Sequence, residues 1–471
     1  MSHRVSTTII ISAIAFMAVC CVDSHPARGD DRQAPQVAGT TGNTQPTVVK
    51  MLTLEAVEPR GNTRTSLSVI EKHLGLSPGD RIDQAALVAA VTRLRDSGLF
   101  DSVEDFTRPG HARGSLILVL DVEERGPDLR LGTGNNDLDG WYLIPAALSL
   151  DNLTGHGERA AVQLMFGYRM GGLRAHYRRG ATPVDRTFWG AELHAMGHER
   201  IYFEDGVEYG HTVARSGLSL HLGRRFGRAL SLSASLLAET VDADSTGSVW
   251  QDNDVSGVDS GDDVAFADLP AGIAAGVGKR QRTTWRTDLV LDTRSTERRS
   301  GSPVAGLWGR LRLGYTVQET GDFPDASLDL RTYRDLGAGV LGLRGRAAVV
   351  DEDAPFYDRH YLGGLYTVRG FPSQSLTAPA GDGWICHGSA EFRATLMGDA
   401  TRPRMVGFLF LDAGRGGEPG GPGGDLAVGA GWGVRLRLGW LGYLGADFGL
   451  PLSDSPVDES FHGHVSLGWS F

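Results

Sequence analysis

Disulfides are the first thing this chain lacks. Of its three cysteines, Cys20 and Cys21 lie in an apolar stretch near the start and only Cys386 falls in the body, so no internal disulfide framework can staple a core. Apolar runs long enough for a transmembrane helix are also missing. The longest, Ile9 to Val22, has 14 residues, where a spanning helix needs roughly 18 or more. No cluster of Lys and Arg is large enough to form a phosphate-binding face, and the net charge of −11 opposes a polyanionic partner, which excludes nucleic acid. Neither G-x-S-x-G nor H-E-x-x-H occurs, so the expectation is no enzyme and no catalytic residue. The same-face pairs His194/His198 and His462/His464 read as polar residues lining an interior rather than as metal ligands.

What is abundant is glycine, 65 residues of 471, about twice the ~7% of ordinary proteins and without a collagen period. Arg4 precedes the run from Ile9 to Val22, which fits a secretory signal over residues 1–24, with cleavage after Cys20 or Ser24. A lipoprotein signal acylated at Cys20 or Cys21 is the alternative. Residues 25–47 are polar and Pro-containing and read as a flexible linker. For an exported chain without a spanning helix, residence in a membrane requires a β-barrel, because in lipid only helices and closed barrels satisfy their backbone groups.

Residues 48–126 read as a compact module. A strand "VVKMLTLEAVEP" leads to a turn at Gly61-Asn62, and Leu67, Ile70 and Leu74 recur at helical spacing. Asp83 is placed to cap a second helix with Leu87, Val91 and Leu94 on its apolar face, and Gly98 is placed to end it. Strands "DSVEDFTR" and "SLILVLDVEE" follow, giving the order β-α-α-β-β. From Asp128 onward the periodicity switches to two. In "LAVGAGWGVRLRLGW" the even positions Leu426 to Leu438 are apolar while Gly429, Gly433, Arg435 and Arg437 alternate with them, one face for lipid and one for a polar lumen. Division at turn signals gives a 16-stranded antiparallel transmembrane β-barrel over 128–471, with its longest connections at Val241 to Ala275 and Asp351 to Trp384. The last strand, "SFHGHVSLGWSF", places Phe461, Val465, Leu467, Trp469 and Phe471 on one face.

Several motifs resemble one family. Gly61-Asn62, Thr65, Pro78-Gly79, Asp83, Leu94 and "GLFDSV" resemble a POTRA domain, the periplasmic module of the outer-membrane protein assembly and translocation superfamily, to which two-partner secretion transporters are related. Val368, Arg369, Gly370 and Phe371 match that superfamily's V-R-G-F loop tip in full. Phe410 and Asp412 match its F-x-D pattern, and Glu391 stands where it places an inward carboxylate. "DNLTGHGERAAV" and "LDTRSTERRSGSPVAG" resemble two of its turns, and a final strand ending in Trp469 and Phe471 resembles a barrel assembly signal.

The resemblance implies a bacterial outer-membrane barrel with a periplasmic POTRA-like domain that inserts β-barrel substrates or exports polypeptide. Its partners would be outer-membrane lipid, unfolded barrel or secreted polypeptides, and periplasmic chaperones or accessory proteins, with no cofactor. An arginine drawn into the barrel cannot lose its proton, so Arg369 is expected to pair with Asp412 and Glu391. The module's edge, Val103, Glu104, Asp105 and Phe106, is a candidate strand template. A passive anion-leaning pore is the alternative. Asp252, Asp254, Ser256 and Asp263 stand at calcium-loop positions, although the helices of an EF-hand are missing and a solvated acidic loop has the same composition.

Overall fold

The computed structural model describes residues 51–126, 128–135, 141–167, 169–180, 184–204, 207–250, 262–264, 269–295, 302–399, 402–418, 420–438, 443–455, 460–467, 469 and 471. The described chain separates into two compact units. One takes in 51–62, 70–96 and 100–123; the other takes in 63–69, 97–99 and everything from Glu124 on. The proposed signal, the linker and the stretch holding Asp252, Asp254 and Ser256 lie outside the described residues.

The first unit is a four-stranded sheet with two helices. Its elements are β1 (Leu52–Arg60), α1 (Leu67–Leu74), β2 (Arg81–Ile82), α2 (Gln84–Arg95), β3 (Phe100–Pro109) and β4 (Ser115–Glu124), and the sheet order is β2-β1-β4-β3. The Asp83 carboxylate caps α2 by accepting from the Ala86 amide at 2.7 Å, and Gly98 turns the chain out of the helix at φ +78°. Leu54, Ile70, Leu74, Val91, Leu94, Leu118 and Leu120 are fully or almost fully buried and form the core. Two expectations change. A two-residue strand appears at Arg81–Ile82, where the turn at Gly79 brings the chain back along β1 and the Gly79 amide donates to the Leu54 carbonyl at 2.7 Å. Leu67 is exposed and His73 takes a place on the buried face, so the face of α1 is rotated from the one its leucines suggest.

The second unit contains a closed antiparallel sheet. Its first strands are β5 (Asp128–Asn135), β6 (Trp141–Asp151), β7 (Arg159–Gly167), β8 (Met170–Arg179), β9 (Thr187–Glu204), β10 (Val207–Phe226) and β11 (Leu230–Trp250). A short β12 (Asp262–Val264), helix α3 (Ala271–Ala274), β13 (Gly278–Asp292), β14 (Gly306–Gln318), β15 (Phe323–Asp335) and β16 (Val340–Val350) follow. After a long connection come β17 (Trp384–Asp399), β18 (Arg402–Gly417), β19 (Ala427–Arg437), β20 (Tyr443–Pro451) and β21 (His462–Leu467). Each strand neighbours the next and β21 lies beside β5, which closes the barrel. Among the described residues no helix is long and apolar enough to cross a membrane.

Alternation decides what each face carries. Leu218, Leu220 and Leu222 on β10 and Leu311, Leu313 and Tyr315 on β14 point outward and are exposed. On the opposite face of the wall, Arg282, Asp329, Glu391 and Asp412 are buried and Arg215 meets Asp358 of the inward-folded connection, the polar-in, apolar-out pattern of a barrel in lipid. The expected long loop from Val241 is shorter than the sequence suggests. β11 continues to Trp250, because Tyr209, Gly210 and His211 of β10 pair with it as far as Val249, Ser248 and Gly247.

Glu55 on β1 shows how the first unit depends on pH. Its carboxylate accepts from the Ser115 hydroxyl at 2.6 Å and the His111 amide at 2.8 Å, and meets the His111 ring. The Ser115 hydroxyl, then the His111 ring and the backbone amides, hold its pKa at about 2, below the usual 4.5, against a smaller opposing effect of burial. Because the folded value lies below the unfolded one, this stabilisation is fully present above about pH 4.5 and is lost as pH falls toward 2. Protection factors of the amides in β1 and the β3–β4 hairpin, taken relative to the intrinsic exchange rate at each pH, should therefore fall over that range in the wild type. In Glu55→Gln they should change much less with pH; an identical profile in the two proteins would remove Glu55 as the cause.

Candidate functional site

The connection between β16 and β17 folds back into the barrel. Its limbs are tied to each other where His360 and Asp382 exchange backbone hydrogen bonds at 2.8 and 2.9 Å and Leu376 donates to the Leu362 carbonyl at 3.2 Å. Gly364 donates toward the carbonyls of Val368 and Phe371 at 3.2 and 3.1 Å, which rounds off a tight tip with Arg369 at its apex. Val368 and Phe371 are fully buried and pack with Ala427 of β19, so an apolar contact flanks the cation on both sides.

Arg369 is 1% exposed and spends all of its donors on the wall. Its Nε donates to Asp412 Oδ2 at 2.7 Å and Nη2 to Asp412 Oδ1 at 2.9 Å, the bidentate fork that a planar guanidinium favours. Nη1 donates to Glu391 Oε1 at 2.6 Å and to Asp447 Oδ2 at 3.1 Å, and Nη2 also reaches Ser389 Oγ at 3.0 Å. The Arg369 backbone amide adds a bond to Asp412 at 3.1 Å. One face of the guanidinium lies 3.7 Å from the centre of the Phe410 ring, a cation–π contact in a site without water-like dielectric.

The pocket extends beyond the residues expected from sequence. Glu391 is also held by Arg393, whose Nε donates at 2.8 Å, and Asp447 is held by both Nη atoms of Arg435. The Arg369 guanidinium of the loop and those of Arg393 and Arg435 on β17 and β19 therefore alternate with three carboxylates on β17, β18 and β20, three charges of each sign. Asp447 was missed because it carries no motif. Its inward position in the alternation of "YLGADFGLP" was the available signal. Glycine makes the approach of the loop feasible. Gly370 sits at φ +97°, and a Cβ on Gly429 of β19 would stand 1.9 Å from the Arg369 carbonyl oxygen.

Comparison with known proteins places this architecture. Residues 152–471 match the model of the Omp85 superfamily domain. The chain belongs to the Omp85 superfamily. Residues 53–125 of this Omp85 chain match the POTRA model described as surface antigen variable number repeat. Among solved structures it is similar to BamA from Haemophilus ducreyi lacking POTRA domains 1–3, with 14% identity, a TM-score of 0.65 and coverage of 88% of this chain and 84% of that one. It is also similar to CdiB from Acinetobacter baumannii, with 16% identity, a TM-score of 0.54 and coverage of 89% and 74%. No curated protein sequence matches it. The family implies the outer membrane as its location, with the POTRA unit in the periplasm.

β3 is an edge strand of the first sheet, with Val103 buried and Glu104, Asp105 and Phe106 exposed. Part of this edge is occupied, since Arg95 Nε donates to the Val103 carbonyl at 3.0 Å and Nη2 to Asp105 at 2.7 Å. Asp263 lies on β12, while Asp252, Asp254 and Ser256 lie outside the described residues; among the described residues no group of three metal-ligating side chains occurs.

Trp469 and Phe471 depart from expectation. Phe461 and Val465 face outward, but β21 ends at Leu467 and the two aromatics turn inward. The Arg393 guanidinium lies 4.6 Å from the Trp469 ring centre and 4.8 Å from that of Phe471, and its Nη2 donates to the Phe471 main-chain oxygen at 3.0 Å. Period-two reading assumes a strand that continues, and a buried guanidinium offering cation–π contacts competes with lipid for these rings.

Arg369→Ala would leave three buried carboxylates facing only Arg393 and Arg435. Breaking a buried pair in this way costs about 3–5 kcal/mol. The tip should then leave its pocket, and chymotrypsin should cut after Tyr366 in the mutant while sparing the wild type; Phe371 is followed by Pro372 and is not a site for this protease. Equal resistance in the two would show that the ion cluster is not what seats the loop.

Proposed function

We propose that this protein assembles β-barrel substrates into the outer membrane or exports polypeptide through a barrel gated at its seam. The barrel is read as sixteen-stranded, because β11 pairs directly with β13 from Leu230 to Ala243 and β12 counts as an extension of that hairpin. The function needs no catalytic residue, since the work is strand exchange and ordering of a chain.

The observation that carries this reading is the seam. Among the described residues it joins β5, eight residues, to β21, six, which are the two shortest strands of the barrel if β12 is set aside; β10 and β11 run to 20 and 21. β5 is further weakened by a register shift between Leu131 and Thr133, around Gly132. Among the described residues, a pair of such short strands offers few ladder hydrogen bonds, so it opens at low cost. Each freed edge then presents unpaired N–H and C=O groups that an incoming strand can satisfy. The Arg369 lock supports a gated rather than a passive barrel, since it keeps a loop inside the lumen.

A disulfide engineered across β5 and β21, with Cys386 changed to Ser, tests the seam. Liposomes carrying the full chain should fold a radiolabelled unfolded barrel into a heat-modifiable, protease-protected form, lose this when oxidised and regain it with reductant. Undiminished insertion by the oxidised protein would discard seam gating, and no insertion by the unlocked protein would discard the assembly reading.

A further inference from the structure

The same loop carries a second charged residue into the wall, eleven positions before Arg369 and with the opposite sign. A 3-10 turn at Phe356–Asp358 begins the loop's descent. Asp358 accepts from both Nη atoms of Arg282 on β13, the Nη2 bond to Oδ1 measuring 3.1 Å, and from Arg215 Nη2 on β10 at 3.2 Å. The neighbouring Tyr357 carbonyl accepts from Arg215 Nη2 at 2.8 Å and from Arg200 Nη1 on β9 at 3.0 Å. Glu239 of β11 accepts from Arg282 Nε and Nη2 at 2.8 and 2.6 Å and lies 3.4 Å from His194 Nε2. The Tyr357 ring lies beneath two of these cations, 5.4 Å from Arg215 and 5.7 Å from Arg282. Phe356 and Tyr357 pack into an apolar cluster with Tyr202, Val213, Val241 and Ile273.

This pocket is the electrostatic reverse of the first. At the tip a loop cation enters a wall of three carboxylates; at the base a loop carboxylate enters a wall holding Arg200, Arg215 and Arg282 with Glu239 as their wall carboxylate. The tip pocket lies on β17 to β20 and the base pocket on β9, β10, β11 and β13, with β14 to β16 between them. We propose that the loop is a strap locked at both ends, with Asp358 a positioning residue whose release frees the base of the loop while Arg369 stays seated. This rests on the reading of the loop as part of a gate and supplies the way it is held. The opposite polarity of the two locks fixes the direction in which the loop crosses the lumen, because exchanging the ends would set like charges against each other. Without Asp358, Arg215 and Arg282 share the Glu239 carboxylate alone, so the base should lift out; the Arg369 partners belong to a separate pocket and are untouched.

Trypsin reads the two ends separately, since Arg359 lies beside the base lock and Arg369 is the tip. In the full chain reconstituted in liposomes, the wild type should resist cleavage at both. Asp358→Asn should be cut after Arg359 about tenfold faster or more, with Arg369 still protected, and Asp358→Glu should restore resistance. Heat-modifiable migration reports whether the barrel has folded. If Asp358→Asn does not fold, Arg215→Gln weakens the same pocket while leaving the Arg282–Glu239 pair, and selective cleavage after Arg359 is again expected. Continued protection of Arg359 in the folded variant, or simultaneous opening of both sites, would overturn the two-lock strap. The readout is loop exposure alone, so it stands or falls independently of whether the protein inserts polypeptide.

Discussion

A guanidinium that cannot give up its proton, placed where water cannot reach it, is the constraint on which the rest of this barrel depends. Arg369 is tolerable at 1% exposure only because Asp412, Glu391 and Asp447 surround it. Each of those carboxylates needs its own support in turn, and Arg393 and Arg435 provide it for Glu391 and Asp447. The result is a closed ledger of charge in which no member can be withdrawn singly without stranding another. That interdependence converts a loop of irregular backbone into a fixed part of the lumen.

The choice of residue types follows from this. Of the 46 basic residues, only Lys50, Lys72 and Lys279 are lysines. Arginine's flat fork can serve two acceptors and still present a face to Phe410 or Tyr357, which a compact ammonium cannot do. The glycine excess has a related origin. Where the tip meets β19 there is no room for a side chain on the wall, and Gly429 supplies the gap. Outside, the same strands need only apolar bulk, and the leucines of β10 and β14 supply that without further specification.

Much of the architecture is legible in the sequence. Period-two alternation marked the barrel strands because their two faces meet different solvents. Asp83 and Gly98 marked the second helix because unpaired amides and a left-handed exit have few chemical solutions. Asp412 and Glu391 were legible as acidic partners through the motifs around them, whereas Asp447 was not, since an inward aspartate on a strand looks the same whether it meets an arginine or water. Asp358 was hidden for the same reason: its partners lie 76 and 143 residues away. The inward turn of Trp469 and Phe471 was also beyond the pattern, which describes a strand but not where the strand stops.

By itself the sequence determined that the chain forms a small α+β module followed by an antiparallel barrel, with one arginine in need of acidic company. Local periodicity and capping chemistry carry that information because they act between residues a few positions apart. Only the tertiary structure decided which carboxylates and guanidiniums meet across the lumen, that the locks at the two ends of the loop have opposite polarity, and that the last aromatics face inward. Those outcomes depend on strand register and barrel closure, which bring together residues whose separation along the chain encodes nothing about their distance in space.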